Sequence, residues 1–150
     1  MRERGFTLVE LIVVIIVVAI LSATMLPRFA DRAAFDQVGF HDQVLSTVQY
    51  ARKAAVASRR YVCVFVSAST ISVLIDTRLP DGLASPCTGS SVVGLNLPAR
   101  AGNSITAPSG VTLSPTPSFR FDPLGRASAP VTFGVNGQTI TIDQETGYVR

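Results

Sequence analysis

The sequence holds no Trp, one His and two Cys in 150 residues, and each scarcity removes a class of chemistry. His41, Cys63 and Cys87 are too few to suggest a metal centre. The Ser-rich stretches have no His partner for nucleophilic catalysis, since His41 stands alone on a helical segment, where it is expected at the surface. No Gly-rich phosphate loop is present. Asp122 and Asp143 read as turn acids. The expectation is a protein without enzymatic activity, cofactor or metal. Charge is also scarce: 15% of residues are charged and the formal net charge is +3, too weak to argue for nucleic acid by itself. Lys53 is the only Lys, the other cations being Arg, and no functional reason for that skew is evident.

What the chain has is a long apolar run near its start. Leu11 to Leu21 is eleven residues without a polar side-chain atom. Extended to Phe6 and Leu26 the run is 21 residues, about 31 Å of helix, enough to cross a bilayer. It exceeds a secretory h-region, and no A-x-A cleavage site follows it. Arg2 and Arg4 flank its N-terminal end, which puts that end in the cytoplasm and everything after about residue 27 on the far side. One acid, Glu10, interrupts the run. An intramembrane acid costs about 2.5–3.5 kcal/mol and marks a functional site. Cleavage after Gly5 would create an α-amine on Phe6, and that cation on a staggered neighbour could neutralise Glu10.

Gly5-Phe6-Thr7-Leu8-Val9-Glu10-Leu11, behind a short basic leader, resembles the class III signal of type IV prepilins and type II secretion pseudopilins. The resemblance implies that the prepilin peptidase cuts after Gly5 and N-methylates Phe6. It also implies that Glu10 pairs with a neighbouring N-terminus. Some tip-located minor pseudopilins lack this acid, so its presence argues for another pilin above this subunit.

Pro27 should interrupt the helix at the membrane boundary. It gives either a simple bend or, as the resemblance implies, local unwinding that helps a subunit leave the bilayer for a filament. A second helix is expected from Asp36 to Arg59. Phe40, Val44, Val48, Ala51 and Ala55 share one face and should pack on a sheet. Val38, Leu45 and Val56 form a narrower second row, open to either the core or a neighbouring subunit.

Strands are expected at Tyr61–Val66, buried on both faces, and at Thr70–Asp76, with Ile71, Val73 and Ile75 inward. Residues 79–117, rich in Pro, Gly and Ser, should be loop with short strands near Val92–Leu97 and Val111–Leu113. Phe119–Phe121 follows. Asn136-Gly137 then joins Val131–Val135 to Thr139–Ile142 in a type I′ hairpin, and Tyr148-Val149 adds a last short strand. Cys63 and Cys87 are either bridged, as an extracytoplasmic location favours, or two reduced thiols.

The fold expected is α+β: a long N-terminal helix packed on an antiparallel sheet. The segments are a leader (1–5), a transmembrane helix (6–26), a periplasmic helical extension (27–59) and a β-rich head (60–150). Gln49-Tyr50-Ala51-Arg52-Lys53-Ala54-Ala55, Phe121-Asp122-Pro123-Leu124-Gly125-Arg126 and Thr146-Gly147-Tyr148-Val149-Arg150 are similar to GspH/FimT-like minor pseudopilins. Pro27-Arg28-Phe29 is similar to the MshC minor pilins of the MSHA (mannose-sensitive haemagglutinin) pilus. The implied role is a minor structural subunit in the inner membrane, facing the periplasm. Its partners would be the prepilin peptidase, other pilin subunits and the inner-membrane assembly platform. The machine could be a type IV pilus, an MSHA pilus or a type II secretion system. Two alternatives stand beside this reading. One is a DNA-uptake pilin whose Arg120, Arg126 and Arg150 contact phosphates, although Arg126 has no second Arg close behind it. The other is a major pilin, against which the GspH/FimT-like stretches argue.

Overall fold

The computed structural model describes residues 7–25, 32–81, 85–98 and 101–150. Gly5, Phe6, Leu26 and Pro27 lie outside them. The chain divides into two compact units, Met1–Phe35 and Asp36–Arg150.

Helix α1 (Leu8–Met25) lies in the first unit. Thr7 starts it: its carbonyl accepts from Leu11 N–H (3.2 Å) and its hydroxyl from Glu10 N–H (3.3 Å). This is an N-cap, which satisfies donors that a helix start otherwise leaves unpaired. The apolar side chains from Leu8 to Leu21 are all exposed, so α1 has no buried face. Its 18 residues span about 27 Å. Among the described residues no helix is long and apolar enough to cross a membrane. The span expected from Phe6 to Leu26 begins and ends at residues outside those described.

Helix α2 (Arg32–Ser58) carries the stripe that builds the second unit. Phe40, Val44, Val48, Ala51 and Ala55 are buried, as their shared face requires. The helix ends where Arg59 turns left-handed (φ 53°). Arg60 N–H then reaches back to the carbonyl of Ala55 (3.2 Å), the six-to-one bond of a Schellman cap.

The strands are antiparallel and form two sheets. In the first, the order is β3 (Val92–Gly94), β2 (Thr70–Asp76), β1 (Val62–Val66) and β6 (Ser118–Phe121). Strand β4 (Ser104–Thr106) pairs with the other half of β2. The β1–β2 hairpin is in register from Val62↔Ile75 to Val66↔Ile71. The second sheet is β5 (Leu113–Ser114), β7 (Val131–Val135) and β8 (Gln138–Ile142). Its hairpin turns at Asn136 (φ 45°) and Gly137 (φ 90°), the two left-handed positions of a type I′ turn. Val149 bridges to Ile142 as a single residue in place of the expected last strand.

One core joins these parts: the α2 stripe, Val62, Val64, Ile71 and Val73 of the first sheet, and Phe133, Val135, Ile140 and Ile142 of the second. Phe119 and Phe133 link the two sheets, with ring centroids 6.4 Å apart. Ile75, expected inward, packs partly buried against this core.

Three expectations are corrected. β1 is not buried on both faces, because Phe65 is 40% exposed. Cys63, on the same face, is buried and is bridged to Cys87. The 79–117 stretch holds one strand more than expected, β4. His41 is half-buried, and its Nδ1 lies 3.5 Å from Asp42 Oδ1.

Candidate functional site

Of the residues proposed for processing and assembly, Glu10 is the one described. It sits in the first turn of α1 and is exposed. Its position is chemically apt for an anion, because the helix dipole places partial positive charge there. Thr7-Leu8-Val9-Glu10 also has the capping-box spacing. Gly5, Phe6 and Pro27 lie outside the described residues.

The structure brings together three sequence segments that are far apart in the chain. Arg52 on α2 donates from Nε to the carbonyl of Gly125 (3.2 Å). Gly125 (φ 82°) sits against α2, where a Cβ would come within 2.9 Å of Val56 Cγ2. Gly147 (φ 62°) packs onto Gly125, and a Cβ on it would collide with the Gly125 carbonyl oxygen. Both glycines are needed twice, for the left-handed backbone and for the close approach.

Two acids shape the loops that present them. Asp122 Oδ1 accepts from Leu124 N–H (2.9 Å) and Arg126 N–H (2.8 Å), and its Oδ2 takes Arg126 Nε (2.8 Å). Asp143 Oδ1 accepts from the Thr146 hydroxyl (2.7 Å) and backbone N–H (2.8 Å), and those bonds hold its carboxyl below the usual range. Both acids therefore act as turn residues.

Cys63 and Cys87 form a disulfide with Cα atoms 5.9 Å apart, closing a loop across 24 positions. On the chain-entropy model such a loop contributes about 3.5 kcal/mol. Asp76, at the end of β2, is fully buried beside it. Its carboxylate accepts from Arg78 Nε (2.9 Å), Nη2 (2.6 Å) and N–H (3.1 Å), and from Cys87 N–H (2.9 Å). The Arg78 guanidinium holds the Asp76 carboxyl far below the usual carboxylate range, against the opposing cost of burial. This latch ties the segment that carries Cys87 to the end of β2. An acid ending an alternating strand two residues before an Arg, in a chain poor in charge, was the signal for it.

The three arginines of the nucleic-acid alternative have different settings. Arg120 lies on β6 opposite Cys63, Arg126 is ion-paired to Asp122, and Arg150 exchanges backbone hydrogen bonds with Thr141. Among the described residues there is no group of three or more metal-ligating side chains.

These features define a subunit with an apolar N-terminal helix and a disulfide-braced α+β head. Residues 1–26 match the prokaryotic N-terminal methylation motif, and residues 42–149 match the type II transport protein GspH family. The second match spans most of the chain, which therefore belongs to the GspH family, a family of pilin-class structural subunits and not of enzymes. A similar solved structure is the type IV minor pilin FimU of Pseudomonas aeruginosa. It is 17% identical over 73% of this chain and 86% of that one, with a TM-score of 0.46. No curated protein matches the sequence.

Gly147→Ala should destabilise the head by more than about 1 kcal/mol, because it adds a collision to left-handed strain. Gly110→Ala, equally left-handed (φ 82°) but facing open space, should cost less. Urea unfolding of the two variants compares them directly.

Asp76→Asn should lower the urea midpoint at pH 7. The acid's folded pKa is depressed, so its contribution is full above the ordinary value of 3.8 and is lost as pH falls below it. The gap between wild type and variant should therefore close as the medium is acidified, which a pH series of unfolding curves reads.

Proposed function

We propose that this chain is a minor pilin or pseudopilin, cut between Gly5 and Phe6 by the prepilin peptidase and N-methylated on Phe6. In this reading α1 continues a single inner-membrane span and the head faces the periplasm. The subunit joins other pilin-class subunits on an inner-membrane assembly platform. The observation that carries the reading is the presence in one chain of an N-terminal methylation motif over residues 1–26 and a GspH-family region over residues 42–149. The likeness of Pro27-Arg28-Phe29 to the MshC minor pilins supports an MSHA-type pilus among the candidate machines. The GspH family supports a type II secretion pseudopilus as another.

Two experiments test it. In a peptidase-competent host, the N-terminal peptide mass should show a chain beginning at N-methyl-Phe6. A chain retaining Met1 to Gly5 refutes the processing. The second concerns Glu10. Gln can replace Glu in a capping box, so Glu10→Gln keeps the local helix start and removes only the charge. Recovery of the variant with other pilin subunits should fall several-fold. Wild-type recovery would assign Glu10 to helix capping and remove its pairing with a neighbouring N-terminus.

A further inference from the structure

The two cysteines of the bridge have unequal settings. Cys63 lies on β1 with a strand on either side, opposite Leu74 of β2 and Arg120 of β6. It is 1% exposed. Cys87 is partly exposed, and Ser85, Thr88, Gly89 and Ser90 around it are exposed. Exchange between a thiol and a disulfide requires the attacking thiolate to reach a sulfur directly, so access decides which sulfur is attacked.

The segment that carries Cys87 is also held by bonds of its own. Cys87 has a left-handed backbone (φ 68°), which a residue with a side chain keeps only where its surroundings impose it. Cys87 N–H donates to Asp76 Oδ2 (2.9 Å), and Arg78 Nη2 donates to the carbonyl of Ser85 (3.1 Å). Further along, the Thr77 N–H and hydroxyl both donate to the carbonyl of Ser91 (2.9 Å each). None of these bonds passes through sulfur. When the disulfide opens they keep the segment tied to the end of β2, with Cys63 covered and the two thiols within reach of each other.

We infer that Cys87 is the entry point for thiol–disulfide exchange with an external carrier, that Cys63 is the resolving cysteine, and that Asp76 is a positioning residue that keeps the opened pair ready to reseal. Opening starts when a carrier thiolate attacks Cys87 Sγ. The bond to Cys63 breaks, its electron pair leaves on the Cys63 sulfur, and that thiolate takes a proton from water. Cys87 is then in a mixed disulfide with the carrier. Closing reverses these steps: Cys63 loses its proton, attacks Cys87 Sγ and expels the carrier as a thiolate. Starting from two thiols, the Cys87 thiolate attacks a carrier disulfide and releases one carrier thiolate, and Cys63 then closes the bridge. Two electrons pass from the pair to the carrier disulfide. The scheme does not depend on how the N-terminus is processed.

Glutathione is the probe, and the full chain in detergent is the sample. The bridged chain is exposed to reduced glutathione, quenched in acid and mapped by peptide mass. The trapped mixed disulfide should sit on Cys87, with Cys63 as the thiol. This measurement needs no substitution. In the single variants, the Cys87 thiol of Cys63→Ser should react with glutathione disulfide many-fold faster than the Cys63 thiol of Cys87→Ser. Glutathione on Cys63, equal labelling of both, or a Cys87 that does not react overturns the entry point. The positioning role has its own readout. Adding Asp76→Asn to Cys87→Ser should speed the labelling of Cys63 several-fold. Adding Gly147→Ala instead, which weakens the head at its contacts with Gly125 and Arg52, should leave that rate unchanged. Equal acceleration by both, or by neither, removes Asp76 from the positioning role.

Discussion

The head depends on the burial of one narrow stripe of α2. The stripe tapers from Phe40 through Val44 and Val48 to Ala51 and Ala55, all buried. The taper sets how closely other elements can approach. Large side chains at the N-terminal end fill the core, and small ones at the C-terminal end leave room for backbone. It is at this small end that Arg52 meets Gly125, and Gly125 meets Gly147. Larger residues at 51 or 55 would overpack a close-packed interior.

Local patterning made much of this legible. The helical stripe, the β1–β2 alternation and the Asn136-Gly137 turn are short-range signals, and each corresponds to an element found. What stayed hidden is long-range. Nothing near residue 147 announces that Gly147 will lie on Gly125, because that contact joins two loops far apart in sequence. The strand Ser104–Thr106 is three residues of mixed polarity, too short for a period, and exists because the outer edge of β2 needs a partner. The division into two sheets likewise follows from pairing rather than from any one strand. Of the candidate site, Gly5, Phe6 and Glu10 were legible as a motif, whereas the partnership of Asp76 with Arg78 left only their two-residue spacing as a trace and the reach of Asp76 to Cys87 left none.

That partnership explains how a loop poor in apolar residues stays closed on a sheet. The segment after β2 has little to bury, so the hydrophobic effect gives it little hold. The disulfide removes much of the freedom the loop would have in the unfolded chain. The Asp76 carboxylate then satisfies the Cys87 and Arg78 N–H groups that the turn leaves without partners. The charge could be buried there because Arg78 supplies a two-point partner. A covalent and an ionic brace thus replace a core on the outer face of the first sheet.

The two helices solve opposite problems. α2 buries one face in its own head. α1 has no face: its apolar side chains are exposed all round. A helix apolar on every side is at home only where it is covered on every side. Glu10 fits the same logic from the other direction. As the third residue after the Thr7 cap it has a local reason to exist, because the helix start favours an acid there. That local reason operates in any surroundings, including water. The cost of carrying the charge rises only as α1 is covered by hydrocarbon or by other helices, and so does the value of an opposite charge nearby. A helix start that is merely capped tolerates Gln in that place, whereas a buried partner for a cation does not.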